Sequence, residues 1–283
     1  MKNTILVTGA TGHVGKAAVE AVTAQGFRVR AACRHPDKIP AARDVQSVRL
    51  DYSDPASLDG ALAGVTRIFL VAPPLDPEAP EKLRPVIEKA KALHMEHIVF
   101  VSAMGVDQDE RAPLRVIEHA VMDSGLHWTI LRPTFFMENF STGFVAPMIK
   151  EQSGIFLAAG SGKTSFISAK DVAAVAASAF ADQLFGKVHT LTGPKALDHE
   201  EVARIVSSAV GREIRYHTLS EEAMLQGARE AGVPESAVRY MAVLYAAVRA
   251  GYTAQVTDDV KRVTGKDPTT FEAFARANKD AWR

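Results

Sequence analysis

Short apolar runs rich in β-branched residues alternate along the chain with segments in which apolar residues recur every three or four positions. The first run, residues 5–7, predicts a buried strand, and helical spacing follows it until Gly26. Further runs predict strands at residues 27–33, 45–50, 67–72, 97–102 and 128–131, and helical patterns lie between them, as at 85–93 and 114–124. Strands that alternate with helices in this way predict an α/β fold with a parallel, doubly wound sheet.

Glycines mark the first strand-to-helix turn. Gly9, Gly12 and Gly15 follow the buried strand directly, with the spacing GxxGxxG, and open the helix. In a βαβ unit such a turn holds a dinucleotide pyrophosphate, because the free N–H groups at the start of the helix face the anion. Gly9 would permit the tight turn, Gly12 would leave room for phosphates, and Gly15 would let the helix pack close to the strand. The alternative is an ordinary glycine-rich turn without a ligand.

The end of the second strand indicates which dinucleotide is expected. An acidic residue there would accept a hydrogen bond from the 2′-hydroxyl of NAD, but the sequence has Arg34 and then Lys38. Their positive charges suit a 2′-phosphate, so we expect NADPH, with NADH bound more weakly. The alternative for Arg34 is a solvated charge at a strand end. Asp51, after the third strand, is either an adenine-binding carboxylate or a loop residue.

Composition argues against several other classes of protein. The chain of 283 residues has 33 basic and 33 acidic residues and no basic block, so we expect neither nucleic acid nor a membrane as a partner. Its one cysteine, Cys33, is expected in the core and indicates a reducing compartment. The chain enters its first strand directly and its longest apolar run, residues 172–181, is short, so we expect a cytoplasmic protein. Its histidines lack metal-ligand spacing, so no metal is expected, and we read His119 and His127 as helix-surface and loop residues.

The C-terminal half predicts mostly helices. They cover residues 168–184, 200–210, 221–231 and 236–250, with one strand at 188–191. We therefore expect a dinucleotide-binding domain over residues 1–150 and a smaller, mainly helical region over 151–283, with part of 165–192 returning to the first core. Since no nucleotide motif lies in these helices, we expect them to form the substrate side. Tyr240 and Leu244 are candidates to line it, and core packing is the alternative for both.

Several motifs resemble one family across nearly the whole chain. They are TGATGHVG at 8–15, Arg34, HIVFVSAMG at 97–105, SGLHWTILRPTFFMEN at 124–139, SFISAKDVA at 165–173, HTLTGP at 189–194 and VTGKDPTTFEAFA at 263–275. Together they resemble the NmrA-like branch of the atypical short-chain dehydrogenases, which has a Rossmann fold. Within that branch the chain is most similar to triphenylmethane reductases and NAD(P)H:quinone oxidoreductases.

The resemblance implies a set of site residues. The cofactor side would comprise Thr8, Gly9, Ala10, Thr11, Gly12, His13, Val14, Gly15, Arg34, Lys38, Asp51, Tyr52, Ala72, Pro73 and Pro133. Ser102 would be the catalytic residue, and the substrate side would comprise Met104, Phe135, Phe136, Asn139, Tyr240 and Leu244. From the residues alone, Ser102 is equally well read as a hydroxyl that bonds the strand end, and Phe135 and Phe136 as core residues.

The chain departs from the wider superfamily on the helix after the fifth strand. Catalytic members have a Tyr and a Lys four residues apart there, and alignment on Glu118 and Gly125 places Glu110 and Leu114 at those positions. We therefore expect hydride transfer from NADPH to a flat conjugated acceptor, such as a quinone or a cationic dye, because such acceptors need little proton donation. The alternative is a non-catalytic NADP(H)-binding redox sensor. We expect a monomer or a homodimer.

The segment from Gly160 to Thr164 ends like a phosphate-binding P-loop. The position that needs a glycine holds Leu157, and we expect no buried strand before the segment and no apolar helix from Lys163. We therefore predict an ordinary turn.

Overall fold

A computed structural model describes residues 4–283. The chain divides into two compact units, of which the first comprises residues 4–133, 169–190 and 262–265, and the second comprises 134–168, 191–261 and 266–283. The change of unit comes at Pro133 and not at residue 150. Residues 134–150 belong to the second unit because their apolar side chains, including Phe140 and Ile149, are buried in its core.

The strands agree with the apolar runs to within one or two residues at most ends. In chain order they are β1 (Thr4–Val7), β2 (Arg28–Cys33), β3 (Val45–Arg49), β4 (Arg67–Val71), β5 (His97–Val101), β6 (His127–Pro133), β7 (Gly154–Leu157), β8 (Lys187–Leu191) and β9 (Arg215–Thr218). His127 is thus the first residue of a strand, where it stacks on Phe185, and the loop assignment was wrong.

The helices include several that the periodicity did not predict. They are α1 (His13–Ala24), α2 (Ala56–Leu62), α3 (Ala79–Ala92), α4 (Pro113–Met122), α5 (Ala146–Gln152), α6 (Ala169–Ala181), α7 (His199–Val210), α8 (Glu221–Glu230), α9 (Glu235–Arg249), α10 (Asp259–Thr264) and α11 (Phe271–Asn278). Among them, α5, α10 and α11 have eight residues or fewer, too few turns for a clear helical repeat.

The first unit is built on a sheet of seven strands in the order β3-β2-β1-β4-β5-β6-β8. Strands β1 to β6 pair in parallel, which confirms the predicted doubly wound α/β sheet. Side chains of β4 and β5 are buried on both faces, so these strands read as continuous apolar runs. The strand order reverses beside β1, and ligands of such sheets bind at the carboxyl edge there.

Helices cover the two faces of this sheet. Leu6, Leu70 and Phe100 are buried against α2, α3 and α4, while α1 packs against α6. Thr8 fastens the end of β1 to β4, because its hydroxyl accepts a hydrogen bond from the N–H of Val71 at 2.9 Å. Cys33 is buried in β2, as expected for a core residue.

The second unit has its own core and a small sheet. Strands β7 and β9 pair in parallel, with Ile155 opposite Tyr216, and helices α5, α7, α8, α9 and α11 contribute most of the remaining buried side chains. Its C-terminus is tied in at Trp282, whose indole N–H donates to the carbonyl of Phe140. No helix within residues 4–283 is long and apolar enough to cross a membrane.

Candidate functional site

The glycine turn between β1 and α1 is shaped by close backbone approaches. Gly9 has a φ of +61°, in the left-handed region that favours glycine. A Cβ on Gly15 would lie 2.1 Å from the carbonyl oxygen of Gly9, so any side chain there would push the helix off the turn. Gly12 precedes α1 in an extended conformation and donates to the carbonyl oxygen of Gly9 at 2.9 Å.

Backbone donors at this turn are left without acceptors. Within residues 4–283, the N–H groups of Thr11, Val14 and Gly15 make no hydrogen bond, and the first turn of α1 has no acidic residue. These N–H groups and the positive end of the helix dipole favour an anion at the surface that Thr11 and Gly12 expose. The turn therefore fits a dinucleotide pyrophosphate. Gly9 and Gly15 match the roles predicted from their spacing, and the room that Gly12 would leave for phosphates stays a prediction.

Two cations stand at the neighbouring strand end. Arg34 follows β2 directly and Lys38 lies in the 3₁₀ turn from Pro36 to Lys38; both side chains are exposed. Neither makes a hydrogen bond or an ion pair within the part of the chain that the structure describes. Free guanidinium and ammonium groups beside the glycine turn suit the additional phosphate of NADP(H).

Two predicted adenine-side residues have partners inside the unit. The hydroxyl of Tyr52 donates to the carbonyl oxygen of Val71 at 2.9 Å, and burial raises the pKa of this phenol. Asp51 accepts from the N–H of Ser53 at 3.0 Å, as loop carboxylates commonly do. Ala72 and Pro73, which follow β4, are partly buried.

Ser102 ends β5 at the same edge of the sheet. Its N–H donates to the carbonyl oxygen of Leu131 at 2.8 Å. The hydroxyl is buried and makes no hydrogen bond of good geometry within residues 4–283, although it lies close enough to Glu118 to favour the ionised carboxylate. The bond at the strand end is therefore made by the backbone N–H of Ser102 and not by its hydroxyl. The hydroxyl remains available to another partner. Met104 donates its N–H to the carbonyl oxygen of Pro133 at 2.9 Å, which joins two other predicted residues.

A buried ion pair lies at the ends of β5 and β6, and the sequence analysis did not assign it a role. Glu118 is fully buried on α4 and accepts from Arg132 through both carboxylate oxygens, at 2.8 and 2.7 Å. Arg132 also contacts Asp107 at 2.8 Å, and Arg115 donates to Glu118 at 2.9 Å. Burial acts to raise the pKa of Glu118, but the hydrogen bonds from Arg132 and Arg115, with the nearby hydroxyl of Ser102, together hold it below its usual value. The sequence did contain a signal for this pair, because Glu118 and Arg132 are charged residues at core positions of two otherwise apolar elements.

The residue at the superfamily tyrosine position is held as an anion. Glu110 accepts hydrogen bonds from Arg115, at 3.0 to 3.2 Å, and lies 2.6 Å from a ring nitrogen of His119. The hydrogen bonds from Arg115 and then His119 lower the pKa of Glu110 to about 2. A carboxyl group with this pKa is ionised at neutral pH, so Glu110 has no proton to donate. His119 lies on the partly exposed face of α4, as expected.

The predicted substrate residues of the second unit lie on two of its segments. Phe135, Phe136 and Asn139 follow β6 and are each partly buried. Phe135 meets the ring of Tyr245, on α9, edge to face at a centroid distance of 6.1 Å. Tyr240 and Leu244 are also partly buried on α9. None of these side chains is fully enclosed, so all five leave some surface for contact.

The P-loop-like segment is a turn, but one reason given for that prediction was wrong. A buried strand, β7, does precede it. Lys163 instead pairs with Glu201 at 2.9 Å, and Gly160 and Ser161 line a depression of about 410 Å³ together with Asp198 and Glu200. Carboxylates on that surface disfavour a phosphate. Among residues 4–283 no cluster of three or more His, Cys, Asp or Glu side chains could hold a metal ion.

Comparisons with known proteins identify the family of this chain. The family described as NAD(P)H-binding matches residues 9–183, which include the glycine turn, Arg34 and Glu118. An NAD(P)H azoreductase from Xenophilus azovorans is 34% identical over 287 residues, which cover 98% of this chain and 99% of the relative.

Two solved structures share the whole fold. An NADPH-dependent quinone oxidoreductase from Escherichia coli is 26% identical with a TM-score of 0.83, over 97% of this chain and 98% of the other. The triphenylmethane reductase of Citrobacter is 22% identical with a TM-score of 0.81, over 98% and 100% of the two chains, a likeness of fold. The resemblance drawn from the motifs is thereby confirmed. This chain belongs to the NAD(P)H-binding family, and within it to the NAD(P)H-dependent oxidoreductases.

Proposed function

We propose that the protein uses NADPH to reduce flat conjugated acceptors, of which quinones and cationic triphenylmethane dyes are the main classes. The state of Glu110 carries this proposal. The superfamily's proton-donating tyrosine is replaced by a carboxylate whose pKa is about 2, and Leu114 stands at the lysine position. Because neither position holds a proton donor, acceptors that need little proton donation are favoured.

The type of acceptor follows from charge. Hydride addition to a ketone leaves an alkoxide, which needs an acid as it forms. Hydride addition to a cationic dye neutralises the dye, and a quinone spreads the new charge over its ring and oxygens. The quinone oxidoreductase among the similar proteins supports acceptors of this kind.

When bound, NADPH supplies a hydride. We propose that the N–H groups of Thr11, Val14 and Gly15 bind its pyrophosphate and that Arg34 and Lys38 bind its 2′-phosphate. Ser102 offers its unpaired hydroxyl to the ribose and nicotinamide end. Arg132 is fixed in place by Glu118, so the end of β6 is rigid. The protein's contribution is thus to orient the reacting groups and exclude water, and not to transfer a proton.

The test is NADPH oxidation by the purified protein with four acceptors: a quinone, an azo dye, a cationic triphenylmethane dye and a simple ketone. We expect turnover with at least one conjugated acceptor and little with the ketone. Rapid ketone reduction that is lost in Ser102→Ala would contradict the proposal, since it would require an acid at Ser102.

The rival proposal is a redox sensor that binds NADP(H) without turnover. The absence of a proton donor at positions 110 and 114 favours it as much as it favours the reductase. NADPH binding by calorimetry, without oxidation by any of the conjugated acceptors, would support the sensor.

A further inference from the structure

A depression separate from the acidic one beside Gly160 lies between two helices of the second unit. It has a volume of about 410 Å³, and its lining comes from α7, from α11 and from the segment before α7. Helices α7 and α11 pack against each other. Every lining residue belongs to the second unit, so the site is complete within that unit. Small-molecule sites span about 300–1,000 Å³, so the depression has room for a small organic molecule.

Part of the lining is apolar. Leu197 is only 4% exposed, and Ile205 and Ala209 of α7 are partly buried beside it. A ligand that packs on these side chains removes apolar surface from water, which contributes about 25 cal/mol per Å². This part of the lining therefore favours a ligand with an apolar body.

Two arginines of the lining have side chains without a partner. The guanidinium groups of Arg204, on α7, and Arg276, on α11, are exposed and make no hydrogen bond or ion pair within residues 4–283. Each has a glutamate four residues earlier on its helix, Glu200 and Glu272, a spacing that normally supports an ion pair, yet neither pair forms. A guanidinium is a fixed fork of donors that matches a carboxylate, so two such groups are left for a ligand of this kind.

The carboxylates of the lining do not cancel these charges. Glu201 pairs with Lys163 at 2.9 Å and with Lys195 at 3.2 Å, so its charge is already compensated. Glu272 makes no ion pair in the described chain and sets one negative charge against two free guanidinium groups. The unpaired groups of the lining therefore have an excess of one positive charge, which favours an anion.

We propose that this depression binds a small organic carboxylate with an apolar body. Arg204 and Arg276 donate hydrogen bonds to the carboxylate, and the apolar body packs on Leu197, Ile205 and Ala209. The site goes beyond the proposed function, because it lies wholly in the second unit and needs neither NADPH nor an acceptor of hydride.

The test measures binding of 3-phenylpropionate to the full chain in low salt and without NADPH, by calorimetry. We expect a Kd of about 1 mM or lower, and a Kd at least about tenfold higher for 3-phenylpropan-1-ol, which has the same ring and chain without the charge. Arg204→Ala and Arg276→Ala should each raise the Kd for 3-phenylpropionate at least about tenfold, through loss of charge-assisted hydrogen bonds. The matched control is Arg239→Ala, which removes an exposed arginine of α9 outside the lining and should leave the Kd unchanged.

The melting temperature should stay the same in Arg204→Ala and Arg276→Ala, because neither guanidinium has an internal partner. Glu272→Gln should lower the Kd, since it removes a negative charge beside the ligand, and a higher Kd in that variant would overturn the preference for an anion.

Three further results would overturn the site. They are a Kd for 3-phenylpropionate above about 10 mM in the unmutated protein, an unchanged Kd in both arginine variants, and equal Kd values for acetate and 3-phenylpropionate, which would mean that the apolar lining contributes nothing. Each of these results leaves the proposed function intact, and failure to oxidise NADPH leaves this site intact.

Discussion

Arg34 and Arg132 both stand at carboxyl ends of strands in the same parallel sheet, yet their surroundings are opposite. Arg34, after β2, is exposed and has no partner within residues 4–283. Arg132, in β6, is nearly buried and pairs with Glu118 and Asp107. At the first position a charge is left for a ligand, and at the second the protein supplies the countercharges itself.

The difference separates binding from positioning along one edge of the sheet. The phosphate end has unpaired N–H groups and cations, which an anionic ligand can satisfy. The other end has a closed network from Asp107 to His119, in which each charge already has a partner. Substitutions at the phosphate end should therefore change the affinity for NADPH. Substitutions in the charged network should change the free energy of unfolding.

The largest expected effect is on stability, in Arg132→Ala. Removal of the guanidinium leaves the fully buried Glu118 with Arg115 as its remaining partner. We expect the free energy of unfolding to fall by about 3 kcal/mol, the lower end for a broken buried pair, because Arg115 still compensates. Urea denaturation at pH 7 measures it. A fall below about 0.5 kcal/mol, the range of ordinary surface substitutions, would mean that the network is not a structural element.

Gly12→Val should lower NADPH affinity by at least about 100-fold, equivalent to about 2.7 kcal/mol. The position has a φ of −83°, which valine can adopt, and a Cβ there would lie 3.3 Å from the carbonyl oxygen of Gly9, so the fold should survive with a small shift of the turn. The side chain would occupy the surface where the phosphates bind. Calorimetric titration of NADPH gives the affinity, and Gly60→Val is the matched control, because a Cβ at Gly60 meets nothing within 4 Å. Unchanged affinity in a folded Gly12→Val protein would refute the cofactor site.

Arg34→Ala should weaken NADPH binding and leave stability unchanged. Loss of a charge-assisted hydrogen bond costs about 1.5–3 kcal/mol, which is one to two decades in affinity. NADH affinity should change much less, since NADH lacks the 2′-phosphate. Arg43→Ala removes another exposed arginine and serves as the control. Equal affinities for NADPH and NADH in the unmutated protein would contradict the role of Arg34.

Acid should lower the stability of the protein through the charged network around Glu118, and Arg34 at the phosphate end should not contribute to this loss. The folded state lowers the pKa of Glu118 below its ordinary value of 4.5. Its contribution to stability is therefore complete above pH 4.5 and is lost as the pH falls through the folded-state pKa. Unfolding curves from pH 7 to pH 3 should be less acid-sensitive in Glu118→Gln, whereas Arg34→Ala should follow the unmutated protein. If the stability of Glu118→Gln falls with pH as steeply as that of the unmutated protein, other groups dominate the loss of stability in acid.

The smallest effect is expected for Ser102→Ala. The hydroxyl makes no well-formed hydrogen bond within the described chain, so stability should change little. A proton-transfer role would cost about 10²- to 10⁴-fold in kcat, so a loss below about tenfold would mean that Ser102 positions and does not protonate. Steady-state rates with a quinone decide between these roles.

The strands and the first turn could be predicted because their causes are local. A buried parallel strand has to be an apolar run, and the approach of Gly15 to the carbonyl of Gly9 tolerates no side chain. The short elements of the second unit gave a weaker signal, since β7 and β9 have four residues each and pair across a long stretch of chain. The end of the first unit could not be predicted from the sequence either. Residues 134–150 are apolar, and their composition suits the core of the first unit as well as that of the second.

By itself the sequence determined the α/β sheet, the glycine turn, the family and the lack of the Tyr–Lys pair. Each follows from residues that are neighbours in the chain or fall at a fixed spacing. Only the tertiary structure decided that Arg132 is neutralised while Arg34 is free and that Glu110 is held as an anion. These depend on which groups of distant segments come within hydrogen-bonding distance, and a charge in a sequence does not show what will stand opposite it.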